Sequence, residues 1–199
     1  MNRLVLSKLL ALAVGIACVF FAFKYNKSAL YETSGSIYGT YWKLVSTEYI
    51  PDPLIQSIKQ ELNRIDFVAS NYKPSSELSI INAAPINTEI VISSDMYTIL
   101  KFAEDLHQLS NGYYDVTIGS LIIKEGFGPE SSMVDNALPV SKKRFNFLNN
   151  NSITKNDNFQ FDLSSIAKGY ALDSISNLLM KANRNNYLID IGGEIIVNG

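Results

Sequence analysis

Residues 159–199 contain side chains suited to a phosphate or metal site. Asp162, Ser164, Ser165 and Lys168 follow one another closely within FDLSSIAKGYALD. Carboxylates and hydroxyls are hard oxygen ligands of the kind that Mg²⁺ prefers, and the ion commonly keeps substrate phosphates among its ligands. A lysine adds a positive charge that attracts phosphate. This spacing indicates a site for a phosphorylated ligand with a metal ion.

The elements predicted around these residues would place them at one helix end. A short strand over residues 159–162 leads into a serine-capped helix over 165–181, and a second strand ends at the sequence Gly-Gly-Glu. A helix N-terminus offers unpaired amides and partial positive charge, which suit a pyrophosphate, and Lys168 is predicted in the first turn. A purely structural interpretation also fits: Asp162 and the serines cap the helix, and Lys168 is solvated.

Composition narrows the classes of protein. The 199 residues are 47% apolar and 18% charged, which is typical of a globular chain. A net charge of −2 argues against a dedicated nucleic-acid binder. Cys18 and His107 are the only cysteine and histidine, which excludes an internal disulfide, a zinc cluster and a multi-histidine metal centre. His107 is predicted to be a partly exposed surface residue of a helix.

Residues 1–25 have the pattern of an export signal or membrane anchor. Arg3 and Lys8 precede an apolar run over residues 9–23, and Lys24 follows it. We therefore expect an exported protein on the periplasmic side of the inner membrane, with residues 26–36 as a linker. Acylation of Cys18, as in a lipoprotein, is an alternative that the residues before it fit only partly.

Apolar periodicity and capping residues predict the remaining elements. Asp52 is predicted to cap a helix that starts at Pro53, because aspartate is favoured at the N-cap and proline at the first helical position. The predicted segments are a strand or hairpin at 37–49, a helix at 52–71, a polar loop at 71–82, a strand near 89–92, a helix at 93–111, and a surface connection at 130–158 with a short helix at 141–148.

Several motifs together carry a resemblance to one family. The segment DLSSIAKGYALD followed by NYLIDIGGEI resembles the signature of the ApbE family, the FAD:protein FMN transferases. Residues 38–40 resemble its Met-Gly-Thr motif, and NYKPSSELSIIN resembles its Thr-Tyr-x-x-x-Ser-Glu-Leu-Ser loop. GYYDVTIGSLI is similar to its Phe-Asp-x-Thr-x-Gly motif, and EGFGP to its Trp-Gly-Phe-Gly turn. The motifs occur in the family's order and span residues 37–199.

The resemblance implies a fold and an activity. The implied fold is α+β, a mostly antiparallel sheet with packed helices, similar to the T-fold, over residues 37–199. The implied enzyme is Mg²⁺-dependent: it binds FAD, transfers FMN to a threonine hydroxyl of an acceptor protein and releases AMP. The implied acceptor is a flavoprotein subunit of a membrane redox complex.

The resemblance also assigns roles to individual residues. Ser165 would be a metal ligand, Lys168 would be the catalytic group that reaches the phosphates, and residues 190–194 would shape the site. Tyr38 stands where the family has methionine, and because tyrosine is larger, we expect the flavin to fit differently at this position. The residues assigned to FAD are Tyr38, Tyr72, Tyr113, Tyr114, Asp115, Asp162 and Lys168.

The sequence stops at residue 199, where family members continue. We therefore expect the C-terminal part of the domain, with a histidine and further metal ligands, to be missing from this sequence. Three alternatives to a transferase follow: a module that binds FAD without transferring FMN, a pyrophosphatase that splits FAD into FMN and AMP, and a membrane-tethered interaction protein without a ligand.

Overall fold

The computed structural model of the protein describes residues 3–25, 30–129 and 144–199. Every strand pair among them is antiparallel, and helices pack on the sheets, so the predicted α+β class is confirmed. A 3₁₀ turn, Val116–Ile118, lies directly before the short helix Gly119–Lys124. In chain order the elements are α1 (Arg3–Tyr25), β1 (Tyr31–Ile37), β2 (Thr40–Ser46), α2 (Asp52–Ala69), α3 (Glu77–Ala83), β3 (Glu89–Val91), α4 (Ser94–Leu109), α5 (Gly119–Lys124), β4 (Phe145–Asn149), β5 (Ser152–Lys155), α6 (Ser164–Lys181), β6 (Tyr187–Ile191) and β7 (Glu194–Asn198).

The described strands form two sheets, in the orders β1-β2-β6-β7 and β3-β5-β4. The β1-β2 hairpin turns through Tyr38 and Gly39, whose φ angles are 52° and 71°. The β6-β7 hairpin turns through Gly192 and Gly193, at 57° and 95°. Positive φ at both central residues matches the twist of the flanking strands, and glycine adopts it without strain.

The predicted linker is wrong over residues 31–36, because these residues form most of β1. They pair along their length with β2, from Tyr31 opposite Ser46 to Ile37 opposite Thr40. As the outermost strand of its sheet, β1 keeps many side chains exposed and can be polar. A polar edge strand of this kind looks like a linker until its pairing partner is known.

Helix α6 joins two hydrophobic cores. Ile166, near its start, packs in a core formed with α3, α4, the second sheet and residues 159–163. Ala171, Leu172, Ile175 and Leu179 pack in the other core, against α2 and the first sheet. The N-terminal end of α6 therefore lies where the two halves of the domain meet.

Three boundaries differ from the sequence prediction. Helix α2 begins at Asp52 after an N-cap at Pro51, so Asp52 is not its N-cap. The predicted loop over 71–82 contains α3, whose N-cap Ser76 accepts a hydrogen bond from the amide of Ser79. The predicted helix at 141–148 is wrong from residue 145, where β4 begins; residues 130–143 of that connection lie outside the described residues.

The predicted strand at 159–162 is also wrong, because this segment joins no sheet ladder. Its backbone bonds instead to groups distant in sequence. The amide of Asp162 donates to the carbonyl of Val116 (2.8 Å), and that of Gly119 donates to the carbonyl of Gln160 (2.9 Å). Phe159 and Phe161 are buried, which explains their strand-like alternation in the sequence.

The apolar N-terminal run forms α1, and side chains such as Leu10 and Phe20 are about two-thirds exposed, at 67% and 66%. Across the described residues, no helix has the length and apolar character needed to cross a membrane.

Arg64 ties three helices together. Its guanidinium donates to Glu61 on the same helix (2.7 and 2.8 Å) and pairs with Asp95 at the start of α4. From α6, Tyr170 donates to Asp95 (2.6 Å) and Ser174 donates to Glu61. The bonds from Arg64 hold the pKa of Glu61 below its ordinary 4.5. At Asp95, burial raises the pKa, but the bonds from Arg64 and Tyr170 outweigh it and the pKa is lowered from 3.8.

Arg64→Gln is expected to lower the free energy of unfolding at pH 7 by about 1 to 2 kcal/mol, because a shared bidentate network is worth more than one surface pair. Carboxylates with lowered pKa values stabilise the fold above their unfolded values and lose that contribution as the pH falls through their folded values. The difference between variant and parent should therefore shrink below about pH 4. Urea unfolding at pH 7 and pH 3 measures this difference in unfolding free energy, and Lys59→Gln, at an exposed position of α2, is the control. An equal difference at pH 7 and pH 3 would contradict the role of the carboxylates.

Candidate functional site

A cleft of about 440 Å³ opens between α2 and the N-terminal end of α6. The β1-β2 turn closes one side with Tyr38 and Gly39, and the loop after α2 supplies the opposite wall. Three predicted site residues, Tyr38, Tyr72 and Lys168, line this one cleft although they are far apart in the sequence. The other lining residues are Ile65, Asp66, Ala69, Ser70, Asn71, Lys73, Ser164 and Ala167.

Asp162 lies at the entry to α6 and is buried, with 8% exposure. Its carboxylate accepts hydrogen bonds from the amide of Ser164 (2.9 Å), the hydroxyl of Ser164, and the side-chain amide of Asn71 (2.6 Å). The N-cap residue is Leu163, so the predicted serine cap is wrong. The carboxylate of Asp162, one residue before the N-cap, accepts the bond from the first amide of the helix instead. Asn71 lines both the cleft and a smaller cavity of about 170 Å³ that Asp162 lines.

The DVTIG motif, residues 115–119, positions Asp162 through backbone hydrogen bonds between the two segments. Asp115 accepts bonds from the amide and the hydroxyl of Thr117 (2.8 and 2.7 Å) and thereby caps the 3₁₀ turn. That turn presents the carbonyl of Val116 to the Asp162 amide. A Cβ on Gly119 would lie 2.6 Å from the carbonyl oxygen of Gln160, so only glycine allows this close approach.

Lys168 is the fifth residue of α6 and so belongs to its second turn, not the first as predicted. Its ammonium forms an ion pair with Glu194 (2.7 Å), the first residue of β7 after the Gly192-Gly193 turn. Both side chains are partly exposed, at 31% and 38%. Lys168 thus lines the cleft, and its ammonium is held by Glu194 of the NYLIDIGGEI motif.

Two tyrosine hydroxyls are anchored around the same helix end. Tyr38 donates to the carbonyl of Leu62 on α2 (3.0 Å), and Tyr114 shares a hydrogen bond with the hydroxyl of Ser165 (2.8 Å). Burial, reinforced by Asp66 and Glu61, raises the pKa of Tyr38; burial, with Asp162 adding to it, raises that of Tyr114. Both phenols therefore stay protonated at neutral pH, with the Tyr38 proton donated to Leu62 and the Tyr114 hydroxyl bonded to Ser165.

The remaining predicted residues are placed differently. Tyr72 is 70% exposed on the cleft wall, whereas Tyr113 is 95% exposed and does not belong to the described lining of the cleft. Asp115 lines a separate cavity of about 240 Å³, together with His107. His107 is half-buried and bonds through Nδ1 to the carbonyl of Tyr114 (2.7 Å).

Comparison with known proteins assigns the chain to one family. The sequence model of the ApbE family matches residues 38–199. The chain belongs to the ApbE family. It is 34% identical over 158 residues to the FAD:protein FMN transferase of Haemophilus influenzae, covering 72% of this chain and 46% of that protein. It is 30% identical over 182 residues to the enzyme of that name from Vibrio cholerae, covering 83% and 54%.

The fold of the chain is also similar to that of a solved ApbE structure. The structure of the flavin transferase ApbE from Vibrio cholerae matches with a TM-score of 0.78 and 27% identity, covering 85% of this chain and 59% of that one. The chain spans about half the length of the curated ApbE relatives that it matches.

The side-chain oxygens near the start of α6 fit a hard divalent cation. The side-chain oxygen of Asn71 is buried and has no hydrogen-bond partner among the described residues. It accompanies the Asp162 carboxylate, and the hydroxyl of Ser165, the second residue of α6, is bonded to Tyr114. Oxygen donors of this kind suit Mg²⁺, which takes few protein ligands and completes its shell with water and phosphate. No cluster of three His, Cys, Asp or Glu side chains occurs within residues 3–25, 30–129 and 144–199.

Sequence reasoning missed Asn71 and Asn82. Asn71 bridges Asp162 and the cleft, and Asn82 pairs with the backbone of Phe161 through both side-chain atoms (2.7 and 3.0 Å). Both lie in the motif NYKPSSELSIIN, at its first and last positions. Their position at the two ends of a motif that resembles the family was the sequence signal that could have identified them.

Proposed function

We propose that this chain carries the FAD-binding part of a flavin transferase, which moves FMN from FAD to a threonine hydroxyl of an acceptor protein and releases AMP. One observation carries the proposal. In a chain of the ApbE family, Tyr38, Tyr72 and Lys168 line one cleft, and Asn71, which lines the same cleft, donates a hydrogen bond to the buried Asp162. Relatives that share this region are named FAD:protein FMN transferases.

The proposed reaction is a phosphoryl-type transfer. The threonine oxygen forms a bond to the phosphorus of the FMN half, and the bond from that phosphorus to the bridging oxygen breaks. AMP leaves with the bridging oxygen, and the hydroxyl proton passes to water. Such a reaction needs alignment and neutralised charge more than a protein nucleophile.

The side chains of the cleft would serve these needs. Lys168 offers a positive charge to the phosphates, held in position by Glu194. Tyr72 presents an exposed aromatic ring for stacking on a flavin or adenine ring, worth about 1 kcal/mol. Tyr38 and Tyr114 supply neutral hydroxyl groups. Mg²⁺, when bound by Asp162, Asn71 and Ser165, would neutralise charge that builds up on the phosphates.

The test has two steps on the full chain. FAD is titrated with and without Mg²⁺ by flavin fluorescence. FAD is then incubated with the chain and a purified flavoprotein subunit of a membrane redox complex, and flavin fluorescence is followed on a denaturing gel together with AMP. An acceptor in which the modified threonine is replaced by valine is the control. Labelled acceptor with an equal amount of AMP supports the proposal.

The other outcomes identify the alternatives. Binding without AMP release indicates a module that only holds FAD. AMP with free FMN and no labelled acceptor indicates a pyrophosphatase. Absence of FAD binding at micromolar concentrations overturns the proposal and favours an interaction protein.

We also propose that residues 1–25 direct export, so that the domain works on the periplasmic side of the inner membrane. The support is the exposed apolar surface of α1, which follows the basic N-terminal residues. Fusion of residues 1–36 to alkaline phosphatase, which is active only after export, should give phosphatase activity in cells. An inactive fusion that accumulates in the cytoplasm would contradict this proposal.

A further inference from the structure

Lys155, at the end of β5, is a buried cation outside the cleft. Its side chain is 1% exposed, and its ammonium lies 5.5 Å from the centre of the Phe159 ring. Among the described residues it has no carboxylate partner, and burial lowers its pKa. Burying a charge is costly unless strong hydrogen bonds compensate, so this lysine calls for a physical explanation.

The ammonium is held by backbone carbonyls at the end of α3. It donates to the carbonyl of Asn82 (2.9 Å), and the carbonyls of Ala84 and Ile81 lie within 3.3 and 3.5 Å. The last carbonyls of a helix have no partner within the helix. Lys155 supplies that partner and fixes the backbone where α3 ends.

Asn82, whose carbonyl makes the shortest of these bonds, also contacts the backbone beside Asp162. The side chain of Asn82 donates to the carbonyl of Phe161 (3.0 Å) and accepts from the amide of Phe161 (2.7 Å). The next residue is Asp162. Because residues 159–163 have no strand neighbours, this amide takes the place of a ladder partner for Phe161.

From this chain of contacts we infer that Lys155 is a positioning residue, which sets the place of the Asp162 carboxylate by fixing Asn82 and, through it, Phe161. A methionine at this position would fill nearly the same space without the charge, but would remove the donor to the carbonyls of Asn82 and Ala84. The end of α3 would then rearrange, Asn82 would move, and the Phe161-Asp162 backbone would loosen. The effect on FAD rests on the proposed function, whereas the effect on the backbone does not.

The first experiment measures amide hydrogen exchange by NMR in the full chain and in Lys155→Met. Exchange at Phe161 and Asp162 is expected to be about tenfold faster, since one to two hydrogen bonds are weakened. Exchange at Leu44 and Ile189, in the other core, should stay unchanged, which a general loss of stability would not allow. The control is Lys59→Met, an exposed lysine on α2. Lys155→Gln is measured in parallel and decides the outcome if the methionine variant does not fold.

The second experiment measures FAD affinity in a double-mutant cycle. Lys155→Met should weaken binding about tenfold in the parent and have no further effect in Asp162→Ala, because it acts through that carboxylate. Equal losses in both backgrounds, or unchanged exchange at Phe161 and Asp162, would overturn the inference. If the parent chain does not bind FAD, the proposed function fails, while the exchange experiment still decides the role of Lys155.

Discussion

Asp162→Ala is expected to weaken FAD binding by roughly 30- to 100-fold, the factor that corresponds to about 2 to 3 kcal/mol for a charged hydrogen-bonding group. The carboxylate is buried and holds Asn71 and the first turn of α6 in place. Its loss would remove the proposed contact with FAD and would leave the side-chain amide of Asn71 without its partner. The expected loss of stability is smaller, about 1 kcal/mol, as for a removed helix cap.

Fluorescence titration and thermal unfolding separate the two effects of Asp162→Ala. Asp173→Ala is the matched control, because Asp173 is an exposed carboxylate on the same helix. Its affinity should equal that of the parent. If Asp162→Ala binds FAD as tightly as the parent, the carboxylate serves only to cap α6, and the site assignment fails.

Lys168→Ala is expected to reduce the rate of FMN transfer by about 10²- to 10³-fold, the usual effect of removing one group that stabilises charge in a transition state. The fold should be retained, because Lys168 is partly exposed and its only ion pair among the described residues is with Glu194. FAD affinity should fall by less than the rate, since the lysine acts most strongly on charge that develops during the transfer.

Single-turnover release of AMP at saturating FAD measures the effect of Lys168→Ala on the chemical step. Lys181→Ala, at the exposed C-terminal end of the same helix, is the matched control and should transfer at the parent rate. A rate within threefold of the parent for Lys168→Ala would show that the cleft neutralises the phosphates by other means.

The contacts from Lys155 through Asn82 to Phe161 add a requirement that the variants of Asp162 and Lys168 do not test. Asp162 can serve as a ligand only if residues 159–163 hold it steady, and that segment has no strand beside it. The side chain of Asn82, the carbonyl of Val116 and the amide of Gly119 supply its backbone partners. The site therefore depends on β5 and α3, which do not line the cleft.

The elements with strong local signals were predicted well from the sequence. Helix α4 starts after Ser93, whose side chain accepts a bond from the amide of Met96, and Met96, Leu100 and Ala103 are buried as the helical spacing requires. The antiparallel α+β fold and the family followed from collinear motifs. In these cases the signal lies within a few residues, because caps and apolar faces are local properties.

What the sequence by itself determined about this protein is its family, its fold class and the grouping of Asp162, Ser165 and Lys168 at the start of one helix. Only the tertiary structure decided that residues 31–36 form an edge strand, that residues 159–163 form none, and that Asn71, Asn82 and Lys155 support Asp162. These outcomes depend on partners that lie from about 5 to about 90 residues away in the sequence. Such pairings leave no periodicity in the local sequence, because hydrogen-bond partners are chosen by the packing of the whole domain.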